Sequence, residues 1–91
     1  MFELKLTVDA IEDLRVFSKA DRQGIVNETE VQVAHDHRKR LRPNDVAEWE
    51  LRINDYRVFY DVDSENQLIE VRTVAYKEGN TLYVRGRKFE L

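Results

Sequence analysis

Ninety-one residues, 42 % of them apolar and 10 % aromatic, suffice for one hydrophobic core, and a single domain over residues 1–91 is expected. A net charge of −3 argues against a generic nucleic-acid binder, whose long-range field is positive. The chain has no cysteine, so a thiolate zinc site is excluded; no apolar run approaches the ~20 residues of a membrane span, and no basic start leads into an apolar signal segment. The expectation is a cytoplasmic protein with no membrane contact, no metal and no other cofactor.

The first stretch, FELKLT (Phe2 to Thr7), alternates apolar and polar residues and predicts a strand paired inside a sheet. In DAIED, Asp9 is placed to cap a helix and Glu12 to reach back to it, while Ile11, Leu14 and Phe17 form an apolar stripe. These features predict a short helix over roughly 10–17. Ser18 can cap a second helix with Ala20, Ile25 and Thr29 on its inner side; Gly24 weakens it by about 1 kcal/mol relative to Ala. Its end is expected near Thr29, with continuation to Val33 left open. The run AHDHRKRLRPND, residues 34–45, carries no stripe and reads as an extended connection closed by Pro43.

The stretch EWELRINDYRVFYDV, residues 48–62, alternates on both sides of Asn54 and Asp55. A two-residue turn there, with a residue that tolerates positive φ, pairs Ile53 with Tyr56, Arg52 with Arg57, Leu51 with Val58, Glu50 with Phe59 and Trp49 with Tyr60. That register puts Trp49, Leu51, Ile53, Tyr56, Val58, Tyr60 and Val62 on the face the helices cover. Glu48, Glu50, Arg52, Arg57, Phe59 and Asp61 point to the opposite face, which is expected to be open. QLIEVRTVAYKEGN supplies a further strand from Leu68 to about Tyr76, and TLYVRGRKFEL a last short strand or tail after a turn at Gly79-Asn80. The fold class is α+β, in the order β-α-α-β-β-β with room for one more short strand.

Charge is unevenly spread. Residues 1–37 carry −4 and residues 38–91 carry +1. Arg52 opposite Arg57 is a repulsive pair unless Glu50 and Asp61 or a bound anion compensate it, so the face is either an internally paired surface or an anion site. The run Arg38, Lys39, Arg40 and Arg42 is a second candidate for gripping phosphate, its bland alternative being solvated surface. His35 and His37 suggest a metal pair or a base but fit a solvated loop better, Trp49 suits the core better than base stacking, and Arg85, Arg87 and Lys88 form a second basic edge or a solvated tail.

EWELRINDYRVFYDVD, followed at a fixed distance by VRTVAYKEGNTLY, resembles the RelE/ParE superfamily of bacterial type II toxins. The resemblance covers nearly the whole chain and implies a small antiparallel sheet with two helices packed on one face. RelE-type relatives cleave messenger RNA on the ribosome, ParE-type relatives poison DNA gyrase, and nearly all are neutralised by an antitoxin; the resemblance implies a RelE-type nuclease first, with a gyrase inhibitor or an inactive antitoxin-binding protein as the alternative. For RelE-type, metal-independent cleavage the resemblance places catalytic roles on Arg57, Lys77 and Tyr83. Arg57 would stabilise the phosphorane charge, Lys77 would act as a point charge or leaving-group acid, and Tyr83 would stack on a base or position the 2′-hydroxyl. Two lysines of the RelE nuclease fall on Glu48 and Glu50, which makes Glu50 the candidate base. Arg52 and the basic run Arg38, Lys39, Arg40 and Arg42 would then bind RNA. An antitoxin tail is expected to bring acids against Arg52, Arg57 or Lys77.

Overall fold

The computed structural model describes residues 3–33 and 38–91. Alternation in the first stretch gives strand β1, Glu3–Leu6, and the chain then enters helix α1, Val8–Leu14. The cap differs from the sequence expectation. Thr7 Oγ1, not Asp9, accepts the Ala10 N–H, at 3.2 Å, and Asp9 lies inside the first turn, where its charge still complements the helix dipole. Glu12 pairs forward with Arg15 at 3.2 Å rather than back to a cap. Ser18 does cap helix α2, Lys19–Val33, accepting the Asp21 N–H at 3.1 Å. The helix runs past Thr29 to Val33 because Thr29 is buried and satisfies its hydroxyl within the helix, donating to Ile25 O at 2.7 Å.

The basic run corrects a second expectation. Arg38–Arg40 forms strand β2, not a plain connection, pairing antiparallel with strand β3, Trp49–Ile53. β3 and strand β4, Tyr56–Asp63, pair in the register read from the alternation, from Trp49 with Tyr60 to Ile53 with Tyr56. Asn54 takes the positive φ, 52°. Strand β5, Leu68–Glu78, runs beside β4 with an irregularity: Phe59 faces Thr73 and Tyr60 faces Val71, which leaves Arg72 as the extra residue of a bulge. The bulge resets the side-chain parity, so that Val71 and Val74 both enter the same core. The last eleven residues of the sequence were expected to give one strand or a tail. They form a hairpin, strands β6, Thr81–Val84, and β7, Arg87–Phe89, turned by Arg85 at φ 52° and Gly86 at φ 78°.

The sheet order is β2-β3-β4-β5-β6-β7. All these pairs are antiparallel, and β1 joins them by a parallel pairing with the first part of β5, Glu3 opposite Leu68 through Leu6 opposite Val71. β6 takes the last part of β5, Tyr76 to Glu78. One edge of a long strand therefore serves two neighbours end to end. Both helices lie on one face, over a core that includes Leu14, Ile25, Leu51, Val58, Tyr60, Val71 and Val74.

The opposite face is not open, contrary to expectation. Phe59, Ala75 and Ala47 form a second buried cluster there, covered by Leu41 and Val46 from the β2–β3 connection and by Leu82, Val84 and Phe89 from the β6–β7 hairpin. Phe59 is 0 % exposed and packs on Phe89 with ring centroids 5.5 Å apart. A large aromatic among charged neighbours was the residue whose burial demanded that cover.

Candidate functional site

Arg57 stands on β4 directly opposite Arg52, as the register requires, but it is only 9 % exposed. Its Nη1 donates to Asn54 O and to Tyr56 O, each at 2.8 Å. The guanidinium thus folds back onto the hairpin turn and satisfies two carbonyls of the segment that precedes it. Glu50, 8 % exposed, accepts from Arg52 Nε at 3.3 Å, so the acid answers the outer member of the arginine pair. Arg52 itself is exposed.

Lys77 and Tyr83 lie further along the sheet. Lys77 is paired with Leu82 and Tyr83 with Tyr76, and the Lys77 N–H donates to Asp55 O at 2.6 Å. Successive residues of a strand point to opposite faces. Tyr83 stacks on Tyr76 with centroids 5.5 Å apart, and Tyr76 meets Phe17 edge-on at 6.1 Å. Tyr83 therefore belongs to the helix-side aromatic row, whereas Glu50, Arg57 and Phe59 belong to the other side. The structure brings Glu50 and Arg52 together and leaves Tyr83 across the sheet from Arg57.

Lys77, half-buried, lines an open groove with Phe17, Tyr56, Tyr76 and Arg85. Burial, followed by the Asp21 carboxylate that its hydroxyl meets, raises the Tyr56 phenol above its ordinary value. Of the basic run, Lys39, Arg40 and Arg42 are exposed. The Arg40 guanidinium lies 5.4 Å from the centroid of the Trp49 ring, a cation–π contact that draws it toward the helix side. Lys39, opposite Glu50, faces the other way. The run is thus split between two faces rather than gathered into one phosphate grip. His35 and His37 lie outside the described residues. Among the described residues, no group of three or more His, Cys, Asp or Glu is placed to hold a metal.

Sequence reasoning passed over Asp13. It is 1 % exposed, its Oδ2 accepts the Val74 N–H at 3.0 Å, and Arg85 Nε lies 2.9 Å from Oδ1 as an ion pair. The Val74 N–H belongs to the part of the β5 edge that neither β1 nor β6 reaches. A carboxylate on α1 thus substitutes for a missing strand and anchors the β6–β7 turn. Burial raises the Asp13 carboxyl above its ordinary value, against the lowering effects of the Val74 N–H and Arg85. The signal was in the spacing: Ala10, Asp13 and Leu14 share one face of α1, and an acid between two apolar residues there needs a buried partner.

The model of the family described as ParE toxin of type II toxin-antitoxin system, parDE, matches residues 4–80, from β1 to the turn after β5. The chain belongs to the ParE toxin family. Among solved structures, the toxin–antitoxin complex RelBE2 from Mycobacterium tuberculosis contains a chain similar to this one, with a TM-score of 0.72, 19 % identity, 84 % of this chain covered and 98 % of that chain. At that identity the likeness establishes the fold. No curated protein matches the sequence. As a ParE-family toxin, the chain keeps the two-helix, antiparallel-sheet architecture of RelE-like toxins.

Proposed function

We propose that this ParE-family toxin acts by binding a target protein, with DNA gyrase as the first candidate, rather than by cleaving messenger RNA. The observation that carries this reading is the position of Arg57. Cleavage through the 2′-hydroxyl needs a charge donor aimed at the phosphorane, together with a base and an acid within reach of the same phosphodiester. Arg57 is buried with its Nη1 committed to two backbone carbonyls. The candidate base Glu50 is buried against Arg52, and Tyr83 stacks on the other side of the sheet. Glu48 and Glu50, standing where the nuclease pattern has lysines, also repel a phosphate.

Its partner in the cell is a cognate antitoxin, a reading supported by the family's type II description and by the complex in which the RelBE2 chain was solved. Of the three cations expected to meet antitoxin acids, Arg52 is exposed and Lys77 is half-buried beside an open groove. Arg57 is buried.

The test is inducible expression without the antitoxin, with messenger RNA ends mapped in arrested cells and supercoiling by purified gyrase assayed with the purified toxin. Growth arrest with unchanged transcript ends and inhibited supercoiling is the expected outcome. New transcript ends inside coding regions, absent from an Arg57→Ala variant shown to be folded, would establish the nuclease reading in its place.

A further inference from the structure

β2 is the outermost strand on its side of the sheet, and among the described residues no strand pairs with its outer edge. The other two edges are of mixed character. β1 alternates Glu3, Leu4, Lys5 and Leu6, and in β7 Lys88 Nζ lies 3.4 Å from Glu90. β2 and the residues that follow it carry Arg38, Lys39, Arg40 and Arg42 with no acid among them, in a chain whose net charge is −3. Lys39, Arg40 and Arg42 are exposed. Among the described residues, Lys39 and Arg42 have no ion pair.

The backbone of this edge has a definite polarity. The Leu41 N–H donates to Glu48 O at 2.8 Å, and Lys39 is opposite Glu50. In an antiparallel ladder alternate residues bond the same neighbour. Lys39 and Leu41 therefore face β3, and the N–H and C=O groups of Arg38 and Arg40 face outward.

We infer that the outer edge of β2 accepts an extended acidic segment of a partner polypeptide as an added strand. The outward groups alternate donor and acceptor, which a peptide backbone matches and a phosphodiester, bearing acceptors only, does not. A long polyanion would also meet Asp45, Glu48 and Asp61, which share a groove with Arg40, Arg42 and Arg72. A second copy of this chain is a poor occupant, because β2 against β2 opposes bases with bases. Basic edges discourage pairing with neutral or like-charged strands. Lys39 and Arg40 become favourable cross-strand partners when the incoming strand is acidic, and because these two lie on opposite faces, consecutive acids suit them better than acids spaced by two.

This surface is independent of the toxin's cellular target, and its test reads binding rather than growth arrest. The probe is a capped peptide, Thr-Val-Glu-Glu-Glu-Val-Thr, added to the isotopically labelled protein at up to about millimolar concentration, enough to populate even a weak complex. Amide chemical shifts and fluorescence anisotropy are recorded in parallel. The amides of Arg38 and Arg40 are expected to shift, and N-methylation of one alternate set of peptide amides should abolish binding while methylation of the other set leaves it within about twofold. The double variant K39E/R42E, altered only at exposed positions and checked for an unchanged thermal transition, should bind at least about tenfold more weakly. Equal effects of the two methylation patterns would reduce the site to plain charge attraction and overturn the added strand. Silence at Arg38 and Arg40, or tighter binding by a single-stranded oligonucleotide of equal charge, would overturn it as well.

Discussion

A carboxylate stripped of water has to find donors, and Asp13 has the Val74 N–H in line and Arg85 beside it. Asp13→Ala should therefore lower stability by about 1–3 kcal/mol in urea titrations, since it leaves a buried N–H without an acceptor. The pH dependence has a definite direction. Because burial raises the Asp13 carboxyl above its usual 3.8, the folded chain holds that proton more tightly than the unfolded chain. Its contribution to stability is complete below about 3.8 and is lost as pH rises through the raised value. The stability of the wild type relative to Asp13→Asn should accordingly be greatest in acid and shrink toward neutral pH, and a difference that grows with pH would contradict the assignment. Arg57→Ala is expected to destabilise by about 1.5–3 kcal/mol, since a charged donor to two turn carbonyls is removed from a buried position. The burial of Asp13 was signalled by its apolar neighbours on one helix face, but that of Arg57 was not legible from local pattern. Strand parity correctly put Arg57 on the face away from the helices, but parity cannot reveal that Leu82, Val84, Phe89 and the residues around Ala47 close over that face.

At the level of elements, the hairpin of β3 and β4 was readable to the residue because strict alternation leaves one register that keeps Trp49, Leu51, Val58 and Tyr60 inside. β2 was not readable, because Arg38, Lys39 and Arg40 show no alternation at all and the strand exists through backbone pairing to β3. α1 begins earlier than the sequence suggested, since Thr7 and Asp9 are both competent caps and only the pairing of β1 decides between them: the Thr7 N–H donates to Val71 O at 3.0 Å and its hydroxyl to Arg72 O at 3.1 Å. Two glycines make contrasting predictions. A Cβ on Gly24 meets nothing within 4 Å, so Gly24→Ala should stabilise α2 by about 0.5–1 kcal/mol. A Cβ on Gly86 also meets nothing, but its φ is 78°. Gly86→Ala should therefore cost about 1–2 kcal/mol through backbone strain alone, with Gly86→Asn milder. Thermal melts of the two variants should move in opposite directions.

Across the whole molecule, two apolar clusters sandwich the sheet, one under the helices and one under the β6–β7 hairpin. Phe59 is the centre of the smaller one, and Phe59→Ala is expected to cost about 3–5 kcal/mol. Loss of hydrogen-exchange protection in that variant should be greatest at β6 and β7, which have little else to hold them besides Asp13 and the end of β5. The topology also sets an order of events during synthesis. β1 leaves the ribosome well before its parallel partner, which begins at Leu68, and the Thr7 hydroxyl reaches an acceptor 65 residues later. Until β5 has emerged, α1 and α2 have no finished sheet to cover, and the long loop must close before any of these contacts form. A nascent chain stalled short of Leu68 should be readily digested by protease, whereas one released beyond β5 should resist. For a toxin of this family, this wiring ties the appearance of the fold to the emergence of β5 from the ribosome.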